Sequence, residues 1–179
     1  MTTTPASAQP VCVLVGPPGA GKSTVGRVVA SRLGVAFRDT DADVEASTGT
    51  SIADIFVLEG EPAFRALEAA AVTAALDGHD GVLAVGGGAV LDPATRDALQ
   101  GHRVVYLETG VSSAASRVGF GMSRPVLVDN PRARLRELLE ERRGFYEQVA
   151  TDTVQTDERT VDEVAADVVR LLTTQATAR

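Results

Sequence analysis

The residues with the clearest chemistry lie near the start of the chain, in the segment Gly16-Pro17-Pro18-Gly19-Ala20-Gly21-Lys22-Ser23. This segment matches the pattern GxxxxGK[ST] and lies between an apolar run, Val11–Val15, and a helical pattern that begins near Lys22. Its glycines let backbone N–H groups turn toward one centre, and the helix N-terminus adds partial positive charge. Lys22 can reach the β- and γ-phosphates of a nucleoside triphosphate, and Ser23 can ligate Mg²⁺. The segment therefore predicts a phosphate-binding loop.

Lysine usage singles out the same loop. Lys22 is the only lysine, whereas the other sixteen of the seventeen basic residues are arginine. An ammonium is a compact point charge, and a guanidinium is a larger planar one. We therefore expect that position 22 requires an amine; the alternative is chance placement of the one lysine among seventeen basic sites.

A phosphate loop is common to kinases, GTPases and motor ATPases, so other segments must separate these classes. The guanine-reading motif Asn-Lys-x-Asp cannot occur in a chain whose only lysine is Lys22, and the DxxG switch pattern is absent from the sequence. Both observations disfavour a signalling GTPase.

Two carboxylates follow the second apolar run, Val35–Arg38. Asp39 and Asp41 are separated by one residue, so in an extended segment they would point to the same side. Adjacent like charges are costly unless a metal or a bound hydroxyl uses them. The pattern favours one carboxylate in the shell of Mg²⁺ and one on an acceptor, with a solvated turn or a helix cap as the alternative.

Short apolar runs alternate with helical patterns along the chain, which predicts an α/β protein: a three-layer α/β/α P-loop kinase fold with a central, mostly five-stranded parallel sheet. The predicted strands are Val11–Val15, Val35–Arg38, Val82–Val85, Val104–Leu107 and Thr153–Gln155. The predicted helices are one from Lys22 that stops at Gly34, then Ile52–Leu58, Pro62–Leu76, Pro93–Leu99, Arg132–Val149 and Val161–Leu172. Ligands bind such sheets at the carboxyl ends of the strands, so the loops after the first four strands should form the site.

Length and composition predict one domain and small-molecule partners. The 179 residues, 44% of them hydrophobic, suffice for one core, and we expect a folded domain at 11–172 between frayed tails at 1–10 and 173–179. The net charge of -7 and pI near 4.8 oppose nucleic-acid binding. No apolar stretch is long enough to span a membrane, and the lone Cys12 fits a reducing cytoplasm. We therefore expect a cytoplasmic monomer, with His79 and His102 in solvated turns.

From Val11 to Leu172 the chain resembles the shikimate kinase family. The segments that carry the resemblance are GPPGAGKST, DTDADVE, SIADIFVLEGEPAFRALE, GGGAV, SRPVL and ERRGFYEQVA, in the family's order and approximate spacing. The resemblance implies Mg²⁺-dependent transfer of the ATP γ-phosphoryl group to the 3-hydroxyl of shikimate, in the biosynthesis of aromatic amino acids.

The resemblance also implies roles for single residues. Asp39 would lie near Mg²⁺ through water, and Asp41 would hydrogen-bond the acceptor hydroxyl. A mobile lid would span about 119–130, and its Arg124 would reach the ATP phosphates. The residues implied in ATP binding are Gly19, Ala20, Gly21, Lys22, Ser23, Thr24 and Arg124, with Arg117 and Arg159 flanking the adenine. Those implied in binding the acid are Asp41, Arg65, Gly86, Gly87, Gly88 and Arg142.

The two substrate arginines also make sense physically, because an arginine fork holds a carboxylate with two hydrogen bonds. For Arg65 alone, the alternative is a surface ion pair with Glu68 three residues later. On the predicted helix Arg132–Val149, Arg142 continues the apolar stripe seven residues after Leu135, whereas Arg143 is rotated by about 100°. We therefore expect Arg142 to face the site and Arg143 to face solvent.

Two alternative functions remain open on the sequence. One is a P-loop kinase of another small acceptor, such as gluconate or a nucleoside monophosphate. The other is a nucleotide-gated binding protein that has lost turnover, against which the intact set Asp39, Asp41, Arg65, Arg124 and Arg142 counts.

Overall fold

A five-stranded parallel sheet lies at the centre of the protein. The computed structural model describes residues 9–118 and 130–176. The strands are β1 (Cys12–Val15), β2 (Phe37–Asp39), β3 (Val82–Ala84), β4 (Val104–Glu108) and β5 (Asp152–Gln155). They pair in the order β2-β3-β1-β4-β5, and all four pairings are parallel. The predicted three-layer α/β/α class with a five-stranded parallel sheet is confirmed.

Helices connect the strands. They are α1 (Lys22–Leu33), α2 (Thr40–Thr48), α3 (Ile52–Leu58), α4 (Glu61–Gly78), α5 (Pro93–Leu99), α6 (Val111–Val118), α7 (Pro131–Val149) and α8 (Val161–Ala176), with a 3₁₀ turn at Ala89–Leu91. Local chemistry sets several ends: Gly34 adopts the left-handed conformation that stops α1, and the Ser51 and Asp92 side chains cap α3 and α5. Within the described ranges, no helix is long and apolar enough to cross a membrane.

The core lies on both faces of the sheet, because every residue of β1 is buried. One face packs side chains of β1, β3 and β4 against α4, α5 and α7, including Val72, Leu99 and Tyr146. The other face packs against α1 and α8, including Val29 and Val168. A separate cluster of Val44, Ile55 and Phe64 joins α2, α3 and α4. This third cluster positions the helices that flank the larger of the two cavities described below.

Three features differ from the sequence-based expectations. Asp41 is not in an extended segment, because Asp39 ends β2 and its carboxylate accepts the Asp41 N–H as the cap of α2. The segment 173–179 is not frayed throughout, since α8 runs on to Ala176. His79 is buried rather than solvated, and its Nε2 lies 3.1 Å from the Val82 carbonyl oxygen.

Candidate active site

The phosphate loop joins β1 to α1. Gly19 and Gly21 have φ values of 81° and 88°, in the left-handed region that favours glycine. The Lys22 ammonium donates to the carbonyl oxygens of Gly16 at 2.7 Å and of Pro17 at 3.1 Å. Lys22 therefore lies back across its own loop, where an ammonium held by backbone carbonyls can face a bound phosphate.

Ser23 and Asp39 bring a hydroxyl and a carboxylate together beside this loop. The Ser23 hydroxyl donates to one oxygen of Asp39 at 2.5 Å, and the other oxygen accepts the Asp41 N–H at 3.0 Å. These are hard oxygen donors of the kind that Mg²⁺ prefers, and Mg²⁺ commonly takes only one or two protein ligands beside substrate phosphates. The pair fits a magnesium ion that would bind at the phosphate loop.

A cavity of about 410 Å³ opens over the phosphate loop. It brings together all the predicted nucleotide and metal residues in the described part of the chain, together with the predicted acceptor residue Asp41: Gly19, Ala20, Gly21, Lys22, Ser23, Thr24, Asp39, Arg117 and Arg159. Arg124 and most of the predicted lid, residues 119–129, lie outside the described residues.

Two loops are tied together at one end of this cavity. Arg117 of α6 donates to the hydroxyl and the carbonyl oxygen of Thr156, at 2.9 and 2.7 Å. Next to Thr156 in the loop after β5, the Asp157 carboxylate accepts hydrogen bonds from the Gly110 N–H and from the Thr109 hydroxyl of the β4–α6 loop, each at 3.0 Å. Partial burial acts to raise the pKa of Asp157, but these hydrogen bonds outweigh it and lower the pKa below its usual value.

A second, larger cavity of about 730 Å³ lies beside the first. Its wall contains the cations Arg65, Arg134 and Arg142, the acidic residues Asp41, Glu45, Glu61, Glu68 and Glu141, and apolar residues that include Ile52, Phe56, Phe64, Leu135 and Leu138. Charged groups set among apolar residues suit a small polar organic ligand, and the arginines suit an anionic group on it. Pro18 and Asp41 line both cavities, so the Asp41 carboxylate lies at the boundary between the phosphate loop and the arginine pair.

Arg65 is held by two carboxylates of its own helix, α4. Its Nη1 donates to Glu68 at 2.7 Å, while Nε and Nη2 donate to one oxygen of Glu61 at 3.2 and 2.9 Å. Glu68 is 3% exposed, so this is not the surface ion pair considered from the sequence. Burial raises the pKa of Glu68, and the Arg65 guanidinium opposes that rise. The Glu68 carboxylate fixes the Arg65 side chain against the cavity wall.

The glycine triplet Gly86–Gly88 leaves room for charged side chains to lie close to the backbone. A Cβ atom at Gly86 would collide with the carboxylates of Glu68 and Asp41, and one at Gly88 would collide with the Arg65 guanidinium. Gly87 and Gly88 line the second cavity, whereas the buried Gly86 is not part of its wall. Glycine is required here for space, because none of the three has a positive φ.

Arg142 and Arg143 point in different directions from α7. Arg142 lines the second cavity and donates from Nη1 to the Gly87 carbonyl oxygen at 3.2 Å, while its buried Nε has no hydrogen-bond partner among the described residues. The Arg143 side chain is 58% exposed and pairs with Glu108 at 3.0 Å. The geometry follows the helix phase expected from the sequence, and an orphaned buried N–H at Arg142 suits an anion acceptor.

Comparison with known proteins decides the family. A family model described as "SKI: Shikimate kinase" matches residues 18–173. The chain belongs to the shikimate kinase family. A shikimate kinase of Salinispora arenicola is 58% identical over 163 residues, covering 91% of this chain and 98% of the relative. A shikimate kinase of Streptomyces avermitilis is 57% identical over 163 residues, covering 91% and 95%.

Solved structures agree with this family. The structure of a shikimate kinase from Acinetobacter baumannii in complex with shikimate has a TM-score of 0.88 and 39% identity, covering 92% of this chain and 93% of that one. A gluconokinase from Sinorhizobium meliloti has a TM-score of 0.55 and 22% identity, covering 97% of each chain, and shows the fold alone. The main functional interpretation, a phosphotransferase of the shikimate kinase type, is thus supported over the alternatives.

Several residues of this shikimate kinase site were not singled out from the sequence. They are Glu61, Glu68, Tyr146, Thr156 and Asp157. For Glu68 a signal existed, because it lies one turn after Phe64 and Arg65 on the face of α4 that points inward. Nothing local marks Tyr146 or Asp157, since the partner of Tyr146 lies 59 residues away in the sequence and those of Asp157 lie 47 and 48 residues away.

Proposed function

We propose that this chain transfers the γ-phosphoryl group of ATP to the 3-hydroxyl of shikimate, which yields shikimate 3-phosphate and ADP. The observation that carries the proposal is the position of Asp41, whose residue lines both the phosphate-loop cavity and the arginine-lined cavity. A group at that boundary can contact an acceptor hydroxyl on one side while the transferred phosphoryl lies on the other. Relatives of the same family, one of them solved with shikimate, support the choice of acceptor.

In the nucleotide half, the backbone of Gly19 to Thr24 cradles the phosphates, and Lys22 neutralises their charge. Arg117 and Arg159 flank the adenine in the cavity wall. Ser23 and, through water, Asp39 would hold Mg²⁺, which would offset the negative charge of the phosphates. The family resemblance assigns a further phosphate contact to Arg124, outside the described residues.

In the acceptor half, Arg65 and Arg142 hold the carboxylate of the acid, with the backbone of Gly87 and Gly88 beside them. The Asp41 carboxylate accepts a hydrogen bond from the 3-hydroxyl and takes its proton as the bond to phosphorus forms. Phosphoryl transfer needs little covalent help from the protein, so alignment of the two substrates and charge stabilisation supply the rate.

The setting that we propose is a cytoplasmic monomer acting on small molecules in the pathway to aromatic amino acids. The lone Cys12 is buried in β1, which fits a protein that needs no disulfide. The net charge of -7 favours small-molecule partners over nucleic acid.

The deciding experiment measures ADP release from ATP and Mg²⁺ with and without shikimate. We expect release that depends on shikimate, and little release with gluconate or nucleoside monophosphates at the same concentration. Asp41→Asn, which keeps the size of the side chain, should depress kcat far more than it weakens ATP binding. ATP binding by wild-type protein without any acceptor-dependent ADP release would overturn the proposal in favour of a non-catalytic nucleotide-binding protein.

A further inference from the structure

A tyrosine that the mechanism above does not use contacts the backbone of the acceptor cavity. Tyr146 lies on α7 one turn after Arg142, and its side chain is 1% exposed. Its hydroxyl donates to the Gly87 carbonyl oxygen at 2.5 Å. The same oxygen accepts from Nη1 of Arg142 at 3.2 Å. Two donors from one helix therefore converge on a single carbonyl of the glycine triplet.

The orientation of the Gly87 carbonyl also determines that of a second backbone group in the cavity wall. Because a peptide is planar and trans, the direction of the Gly87 carbonyl also fixes the direction of the Gly88 N–H. On its other side Gly87 approaches the phosphate loop so closely that a Cβ would lie 3.0 Å from Cδ of Pro18. Glycine has no side chain to restrain this backbone, so its orientation depends on external hydrogen bonds.

We propose that Tyr146 is a positioning residue of the acceptor site, whose hydroxyl orients the Gly87–Gly88 peptide and the Arg142 guanidinium that shares its acceptor. The inference rests on the proposed function, since it concerns how shikimate is held. Tyr146 itself does not line the cavity, so it acts through these groups and not by direct contact.

The role belongs to the hydroxyl and not to the ring. The ring of Tyr146 stacks on Tyr106 with centroids 5.1 Å apart and an interplanar angle of 22°, a contact that phenylalanine would keep. A buried phenol hydroxyl must find a partner, and here that partner is the cavity backbone. Burial raises the pKa of Tyr146 well above its ordinary value, so the hydroxyl stays a donor throughout the working pH range.

The structure supplies a matched control in the same stack. Burial also raises the pKa of Tyr106, to about 12, but its hydroxyl interacts with Arg143 rather than with the glycine triplet. Tyr146→Phe and Tyr106→Phe thus each remove one hydroxyl from the same aromatic pair. Only the first removes a hydrogen bond to the acceptor cavity.

The test is steady-state kinetics of both variants, with calorimetric binding of shikimate and of ATP and a thermal unfolding scan. We expect Tyr146→Phe to raise the shikimate KM and Kd about fivefold to tenfold, as loss of one hydrogen bond would do, with the ATP Kd within about twofold of wild type. Tyr106→Phe should leave both affinities within about twofold. Unchanged ATP binding also shows that each variant is folded.

Two outcomes overturn the inference. One is an equal rise of the shikimate KM in both variants, and the other is a fall in the unfolding temperature of Tyr146→Phe with no change in shikimate affinity. Either would make Tyr146 a packing residue only. These results differ from failure of the proposed function, in which wild-type protein itself would not phosphorylate shikimate.

Discussion

The guanidinium of Arg142 enters the acceptor cavity on a helix whose next residue, Arg143, faces outward. Replacing Arg142 by alanine removes a cation from the wall of that cavity, so we expect the shikimate KM to rise at least tenfold, or ~1.4 kcal/mol. Arg143→Ala should change KM less than about twofold, because exposed ion pairs contribute little. Initial rates at saturating ATP and varied shikimate measure both. A larger rise in the shikimate KM from Arg143→Ala than from Arg142→Ala would mean that the substrate carboxylate binds on the other face of α7.

The buried carboxylate of Glu68 predicts a pH dependence of stability. Burial raises its pKa above the ordinary value of 4.5, with Arg65 opposing, so the folded protein binds this proton more tightly than the unfolded chain does. Stability from this group is therefore fully present below pH 4.5 and is lost as pH rises through the folded pKa.

Glu68→Gln removes that titration and is the matched variant. We expect the free energy of unfolding of wild type, minus that of Glu68→Gln, to fall as pH rises above 4.5. Urea titrations at a series of pH values give this difference. An increase with pH would mean that Arg65 outweighs burial and that the pKa of Glu68 is lowered.

At the residue scale, what the sequence reveals depends on how far apart the partners are. The residues of the phosphate loop are contiguous in the sequence, so their chemistry can be recognised without knowledge of the fold. Asp41 was placed at the site from the wrong geometry: it lies in the first turn of α2, because the Asp39 side chain caps that helix. Glu61 was missed although it lies four residues before Arg65 on the same helix, whereas Tyr146 was missed because its partner Gly87 lies 59 residues away in the sequence.

Among the elements, the β4–α6 loop is hydrogen-bonded to the loop after β5, and Thr156 of the latter loop lines the phosphate-loop cavity. Asp157→Asn keeps the side-chain shape but weakens its hydrogen bonds to Gly110 and Thr109. We expect a loss of about 1 kcal/mol in stability at neutral pH and a rise in the ATP KM, with the shikimate KM unchanged.

The direction in which stability changes with pH tests whether the charge of Asp157 is responsible for this stabilisation. The pKa of Asp157 is lowered in the folded protein, so its contribution is present above the unfolded pKa and is lost as pH falls through the folded one. The stability gap between wild type and Asp157→Asn should therefore close in acid. A gap that stays constant with pH would show that the charge is not responsible.

Elements with continuous apolar runs were the ones that the sequence predicted, and short polar ones were not. The five strands and helices α1, α3, α4, α5, α7 and α8 were all expected, with bounds that shift by a few residues. Helices α2 and α6 were not, because their sequences TDADVEAST and VSSAASRV contain few large apolar residues. Helix α2 is capped by the Asp39 side chain, and α6 packs Ala114 and Ala115 against Leu135 of α7.

For the whole molecule, the single cysteine reports on global opening. Cys12 is 0% exposed in the central strand β1, between β3 and β4, and burial raises its pKa to about 12, with Arg103 opposing. A thiol reagent can therefore reach it only when the sheet itself opens.

We expect the labelling rate of Cys12 to follow the global unfolding equilibrium when labelling is slow compared with reclosing of the protein. The free energy of opening calculated from the labelling rate should fall with urea concentration with the same slope as the free energy of unfolding measured by circular dichroism. The fully unfolded protein in high urea gives the reference rate. Labelling that is fast and insensitive to urea would show that β1 opens locally, apart from the rest of the sheet.

The contact between Arg65 and Glu61 gives acceptor recognition an unusual character. Nε and Nη2 of Arg65 already donate to the carboxylate of Glu61, a residue of the same helix. The Glu61 side chain is more than half exposed. Under the proposed function, the carboxylate of the acid would displace that of Glu61 from Arg65, and Glu61 would return to water at little cost.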